Sequence, residues 1–111
     1  MDLIEIGKEE YLKRITKVIE DSGVDEDILE EAKKLARELV EKTNGTISRV
    51  RSVAAYLIWL ASWRINKPLM QKVAARIVGV SEVSLRSARR SLRHIFNDNY
   101  NAMKIRKILL F

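Results

Sequence analysis

Val83 and Arg86 stand three residues apart, so any helix containing both places them on one side. Their types suit the edges of base pairs. An arginine can bond a guanine edge through two donors, and a valine methyl can pack on the methyl of thymine. Groups suited to phosphate surround them: the hydroxyls of Ser84 and Ser87, and the cations of Lys72, Arg89, Arg90 and Arg93, with Arg76 nearby in sequence. Phosphate contacts set position and base contacts set specificity, so this residue set is equipped for duplex nucleic acid.

Other chemistries lack their parts. The chain has no cysteine, which excludes disulfides, thiolate zinc sites and cysteine nucleophiles. Its single histidine, His94, cannot build a His-rich metal centre, and lies where it could also touch phosphate. No P-loop, G-x-G-x-x-G or H-E-x-x-H occurs. The acid groups Glu9-Glu10, Asp25-Glu26-Asp27 and Glu30-Glu31 fit helix starts and solvated faces, with nothing to tune them as an acid–base pair. The expectation is a protein that is not an enzyme and uses no metal, no cofactor and no small-molecule substrate.

Charge points the same way. The 111 residues carry a formal net charge of +6. Residues 1–45 hold 8 Lys+Arg and 13 Asp+Glu, a balance of −5, whereas residues 46–111 hold 13 Lys+Arg and only Glu82 and Asp98, a balance of +11. Such asymmetry suits a polyanion partner, and an acidic protein surface would be drawn to the same half. The N-terminus carries acids where a secretory signal carries Lys or Arg. The longest nearly apolar run, Val53 to Trp63, is too short to span a bilayer. A soluble, intracellular protein without a membrane partner is expected, cytoplasmic and associated with the nucleoid.

The elements that must position these residues read as helices. Apolar residues recur with a period near 3.6 from about Lys8 to Asp21, closed by Ser22-Gly23. A second helix opens at Asp25, a good N-cap, and ends at Thr43-Asn44-Gly45. A third, Ile47 to about Ile65, is apolar almost all round and belongs at the centre of the domain. A fourth runs from about Pro68 to Val78, and a fifth from Ser81 to about Phe96. Ala75, Gly79 four residues later, and the apolar Val80, Leu85 and Leu92 have the spacing of a helix-turn-helix, which needs a small residue at the helix contact and positive φ in the turn. The fold expected is all-α: five helices around a buried third, with a helix-turn-helix at about 68–96. Trp59 and Trp63, four apart on one helical face, read as core or partner-surface aromatics. Residues 97–111, with Tyr100, Met103 and the apolar end at Phe111, read as a sixth helix or extension over the core, or as a partner-binding tail.

Residues 11–96 resemble one cyclin-like repeat of the archaeal transcription factor B and eukaryotic TFIIB family. The likeness lies in Asp25-Glu26-Asp27-Ile28-Leu29-Glu30-Glu31-Ala32, in Val53-Ala54-Ala55-Tyr56-Leu57-Ile58-Trp59-Leu60-Ala61, and above all in Val80-Ser81-Glu82-Val83-Ser84-Leu85-Arg86. The last is similar to the family's Val-Thr-Glu-Val-Thr-Val-Arg in its second, C-terminal repeat. The resemblance implies a cyclin-like domain over 8–96 that reads promoter DNA beside the TATA box together with TATA-binding protein, and carries the family's base-contacting valine and arginine onto Val83 and Arg86. The chain departs from the family in having one repeat and no cysteine for a zinc ribbon. It also departs at Leu69-Met70, where the family has Arg-Thr, and at Ser87-Ala88-Arg89, where it has Asn-Arg-Tyr. A domain of such a factor and a small paralogue both fit. The contrasting expectation is a protein-interaction module that docks a partner, RNA polymerase being a candidate, through Trp59, Trp63, Met103 or Phe111, without reading DNA sequence.

Overall fold

The structure, a computed structural model, describes residues 7–43 and 49–98. Five helices follow in order: α1 (Lys8–Asp21), α2 (Glu26–Lys42), α3 (Val50–Arg64), α4 (Gln71–Val78) and α5 (Glu82–Leu92). The domain is all-α, as its periodicity predicts. Strands are absent among the described residues.

In α1, Tyr11, Ile15 and Ile19 recur every fourth position and are buried as one stripe. The helix ends where the Ser22 hydroxyl donates to the Ile19 carbonyl at 2.6 Å and Gly23 turns the chain with φ +77°. In α2 the stripe is Ile28, Ala32, Leu35, Ala36, Leu39 and Val40. Asp25 occupies the N-cap position but makes no side-chain cap bond. Glu26 and Asp27 supply the negative charge of the first turn, and the Asp27 carboxylate accepts from Lys67 Nζ across the domain.

The third helix is the axis of the fold. Every residue from Ser52 to Ser62 is buried, and α1, α2, α4 and α5 all pack against it. Its apolar residues surround the helix, so no single face can go to water, and the other helices must enclose it. Its expected start at Ile47, and the Gly45 end of the preceding segment, lie outside the described residues.

Two boundaries differ from the sequence expectation. Helix α4 begins at Gln71, three residues after Pro68. The Ser62 hydroxyl oxygen accepts the Leu69 N–H at 3.0 Å, and Trp63 Nε1 donates to the Leu69 carbonyl at 3.0 Å. Both side chains of α3 thus bind the Leu69 backbone, which lies outside any helix. Helix α5 ends at Leu92 rather than near Phe96, and residues 93–97 form turns. There Asn97 has φ +51° and the chain folds back until Asp98 meets α3.

Candidate nucleic-acid interface

Helices α4 and α5 meet through a turn built on Gly79. Its φ of +86° is costly for any residue with a Cβ, and it lets Gly79 N–H donate to the Ala75 and Arg76 carbonyls while Val80 N–H donates to Ala75 at 3.0 Å. Ala75 and Leu85 are buried at the joint and Val80 is half-buried. Helix α5 then starts cleanly. Ser81 Oγ accepts the Ser84 N–H at 3.1 Å, an N-cap, and donates to Ser84 Oγ at 2.9 Å.

Leu85, Ala88 and Leu92 fix the inward side of α5. The outward side then follows from the helical period. Val83 is 69 % exposed, an unusual position for a large apolar side chain. Arg86 is exposed one turn further on and forms a 2.8 Å ion pair with Glu82. Arg90 and Arg93 are exposed on the same helix and its C-cap, with His94 beside them, and Lys72 is exposed on the first turn of α4. Ser87 is half-buried on α5, and its Oγ accepts from Arg49 Nη1 at 2.9 Å.

Arg89 differs from the expectation of a phosphate contact. Its Nε donates to Asp98 Oδ2 at 2.8 Å, its side chain is only 20 % exposed, and its guanidinium lies over the Trp59 ring, 5.4 Å from the centroid. Position 89 sits at the margin of the buried stripe, and the buried carboxylate draws it inward. Asp98 itself has a side chain with no exposure. Its Oδ2 also accepts the Tyr56 hydroxyl at 3.0 Å, and Oδ1 has no partner among the described residues. Burial, then the neighbouring Asp98 charge, push the Tyr56 hydroxyl far above the usual phenol range. Alongside, Arg64 Nη2 donates to the Phe96 carbonyl at 2.7 Å and stacks on its ring.

The aromatic candidates are also sorted. Trp59 is 1 % exposed and belongs to the core, and with Trp63 it also lines a surface groove. Trp63, its ring centroid 6.4 Å from that of Trp59, is half-buried and lines a groove with Pro68, Leu69, Met70, Lys72 and Glu82. Met103 and Phe111 lie outside the described residues.

The sequence reading missed two arginines. Arg49 and Arg51 precede or open α3 and reach across to the other two helices, Arg49 to Ser87 and Arg51 Nη1 to the Val78 carbonyl at 3.2 Å. The Arg-Val-Arg run beside an all-apolar helix was the available signal, since a charge there has only the domain surface to go to. Of the ten Lys and Arg within residues 49–98, Lys67 pairs with Asp27, Arg86 with Glu82 and Arg89 with Asp98, which leaves seven exposed cations without a carboxylate partner among the described residues. Such a surface can bind a polyanion. Among the described residues no group of three or more His, Asp or Glu could hold a metal, and no helix is long and apolar enough to cross a membrane.

No protein-family model, curated protein or solved structure matches the chain.

Proposed function

We propose that the chain is a promoter DNA-binding module, a domain or small paralogue of the transcription factor B type, reading duplex DNA beside a TATA box through α5 together with TATA-binding protein. One observation carries it: α5 turns Val83 and Arg86 outward at its N-terminal end while burying its opposite side. The N-terminal residues of a recognition helix are the ones that reach base edges. At about 1.5 Å per residue, the eleven residues of α5 span about 16 Å, enough to lie along a major groove about 12 Å wide. Lys72 lies beside that end, and Arg90 and Arg93 follow at the last turn and C-cap of α5, all exposed cations suited to phosphates. The likeness of residues 80–86 to the family's reading motif supports the choice of promoter DNA.

A mobility-shift titration on TATA-flanking duplexes, with and without TATA-binding protein, at two salt concentrations tests the role. Binding that weakens steeply with salt and tightens with TATA-binding protein is expected. Duplex binding that is undetectable or insensitive to salt refutes it.

Protein docking is the second reading, favoured by Met70. This side chain is 68 % exposed at the mouth of the Trp63–Leu69 groove. A partner held there would survive substitution of Arg86 and Arg90 and be lost on Met70→Asp.

A further inference from the structure

Arg49 stands immediately before α3 with φ +84°, in the left-handed region. A long, branched-headed side chain is uncommon there, and backbone strain of this kind concentrates at binding sites. Its guanidinium does not fold back onto its own helix. It crosses to α5, where Nη1 donates to Ser87 Oγ at 2.9 Å, 38 residues away in the chain. Arg51 makes an instructive contrast, since it spends its Nη1 on the Val78 carbonyl at the end of α4, an ordinary structural use of arginine.

The Arg49–Ser87 pair is left chemically incomplete. Because the Ser87 oxygen accepts from Arg49, its O–H remains to donate, and no acceptor for it stands among the described residues. Arg49 likewise keeps further N–H donors and has no carboxylate partner among those residues. Two groups with donors to spare, one on the residue before α3 and one on α5, therefore stand 2.9 Å apart at the surface, one residue from Arg86 and one turn from Val83. An anion with several acceptor oxygens can use both at once and also match the guanidinium charge. A phosphodiester fits, because a guanidinium and a hydroxyl can each take one non-bridging oxygen.

We propose that Arg49 and Ser87 together hold one backbone phosphate of the bound duplex, a contact from outside the α4–α5 pair that sets the register of α5 on the DNA. This assignment rests on the DNA-binding role proposed above. It makes Arg49 a positioning residue: it touches the backbone and no base.

The test is a fluorescence-anisotropy titration of the full chain against duplex DNA over a range of salt, for wild type, Arg49→Gln, Arg49→Gly and Ser87→Ala. The slope of log affinity against log salt is expected to fall by about one for both Arg49 variants, with the preference among duplex sequences unchanged. Ser87→Ala is expected to weaken binding by about 2–10-fold. Arg49→Gly also relieves the backbone strain, so its thermal midpoint is expected to be no lower than that of wild type while its binding falls. An unchanged salt slope for the Arg49 variants overturns the phosphate assignment and leaves the DNA-binding role standing. A change in sequence preference overturns it too, by making Arg49 a base contact. Absence of duplex binding by the wild-type chain overturns both.

Discussion

Replacing Asp98 by alanine removes the one acceptor shared by Tyr56 and Arg89. Tyr56 is wholly buried in α3, so its hydroxyl would lose a bond to a charged group with no water to replace it. Such a bond contributes about 1.5–3 kcal/mol. The Arg89 pair contributes less, about 1 kcal/mol, because the arginine side chain retains 20 % exposure and can recover some hydration. The total is about 3 kcal/mol, and for a domain of this size each kcal/mol moves the thermal midpoint by about 4–8 °C, so a fall of about 12–24 °C is expected. Asp98→Asn keeps a neutral acceptor for Tyr56 and is expected to cost about half as much. Urea and thermal melts of Asp98→Ala, Tyr56→Phe and the double variant supply the values. A coupling of at least about 0.5 kcal/mol between the two positions is expected from direct contact. An Asp98→Ala protein within about 0.5 kcal/mol of wild type, or strict additivity, would refute the idea that this carboxylate fastens the turn after α5 to α3.

Further outcomes follow from the same geometry. Burial raises the hydroxyl of Tyr11 to about 12 and that of Tyr56 higher still, so both stay protonated in the fold after an unfolded tyrosine has begun to ionise near 10. The unfolded chain then binds fewer protons, and stability that is full below about pH 10 falls above it, by about 1.4 kcal/mol per pH unit for each tyrosine. Urea midpoints measured from pH 8 to 11 check this, and a midpoint flat across pH 10 contradicts it. Gly79→Ala meets only Arg51 Nη1, at 3.8 Å, so it is expected to cost about 1 kcal/mol, from backbone strain alone, in a thermal melt. Ser81→Ala removes the one side-chain N-cap bond among the described helices and is expected to lower stability by about 1 kcal/mol by the same measurement.

Much of this fold is written in local pattern. The all-round apolar character of residues 53–61 announces a central helix, because no other location buries every face. The Gly79 turn is equally legible, since the periodicity stops at a residue able to take positive φ. Tertiary contacts decide what local pattern misses. Pro68 reads as a helix start until Ser62 and Trp63 bind the Leu69 backbone and the helix begins at Gln71. Phe96 reads as helical until Asp98 draws the chain back to Tyr56. The same carboxylate turns Arg89 from a marginal surface charge into a partner of the core. Within the candidate interface, the outward pair Val83 and Arg86 follows from spacing within one helix. Arg49 does not, because its place beside Ser87 depends on how α3 crosses α5.

The most direct measurement of DNA reading by α5 is selection from a randomised duplex pool by the wild-type chain, Arg86→Ala and Arg90→Ala at one salt concentration. Wild type is expected to enrich a short motif containing a guanine, and Arg86→Ala to lose preference at that position only, a discrimination of about 1–3 kcal/mol. Arg90→Ala is expected to keep the whole motif while binding every duplex more weakly. No enrichment by wild type, or the same motif enriched equally by Arg86→Ala, would contradict it.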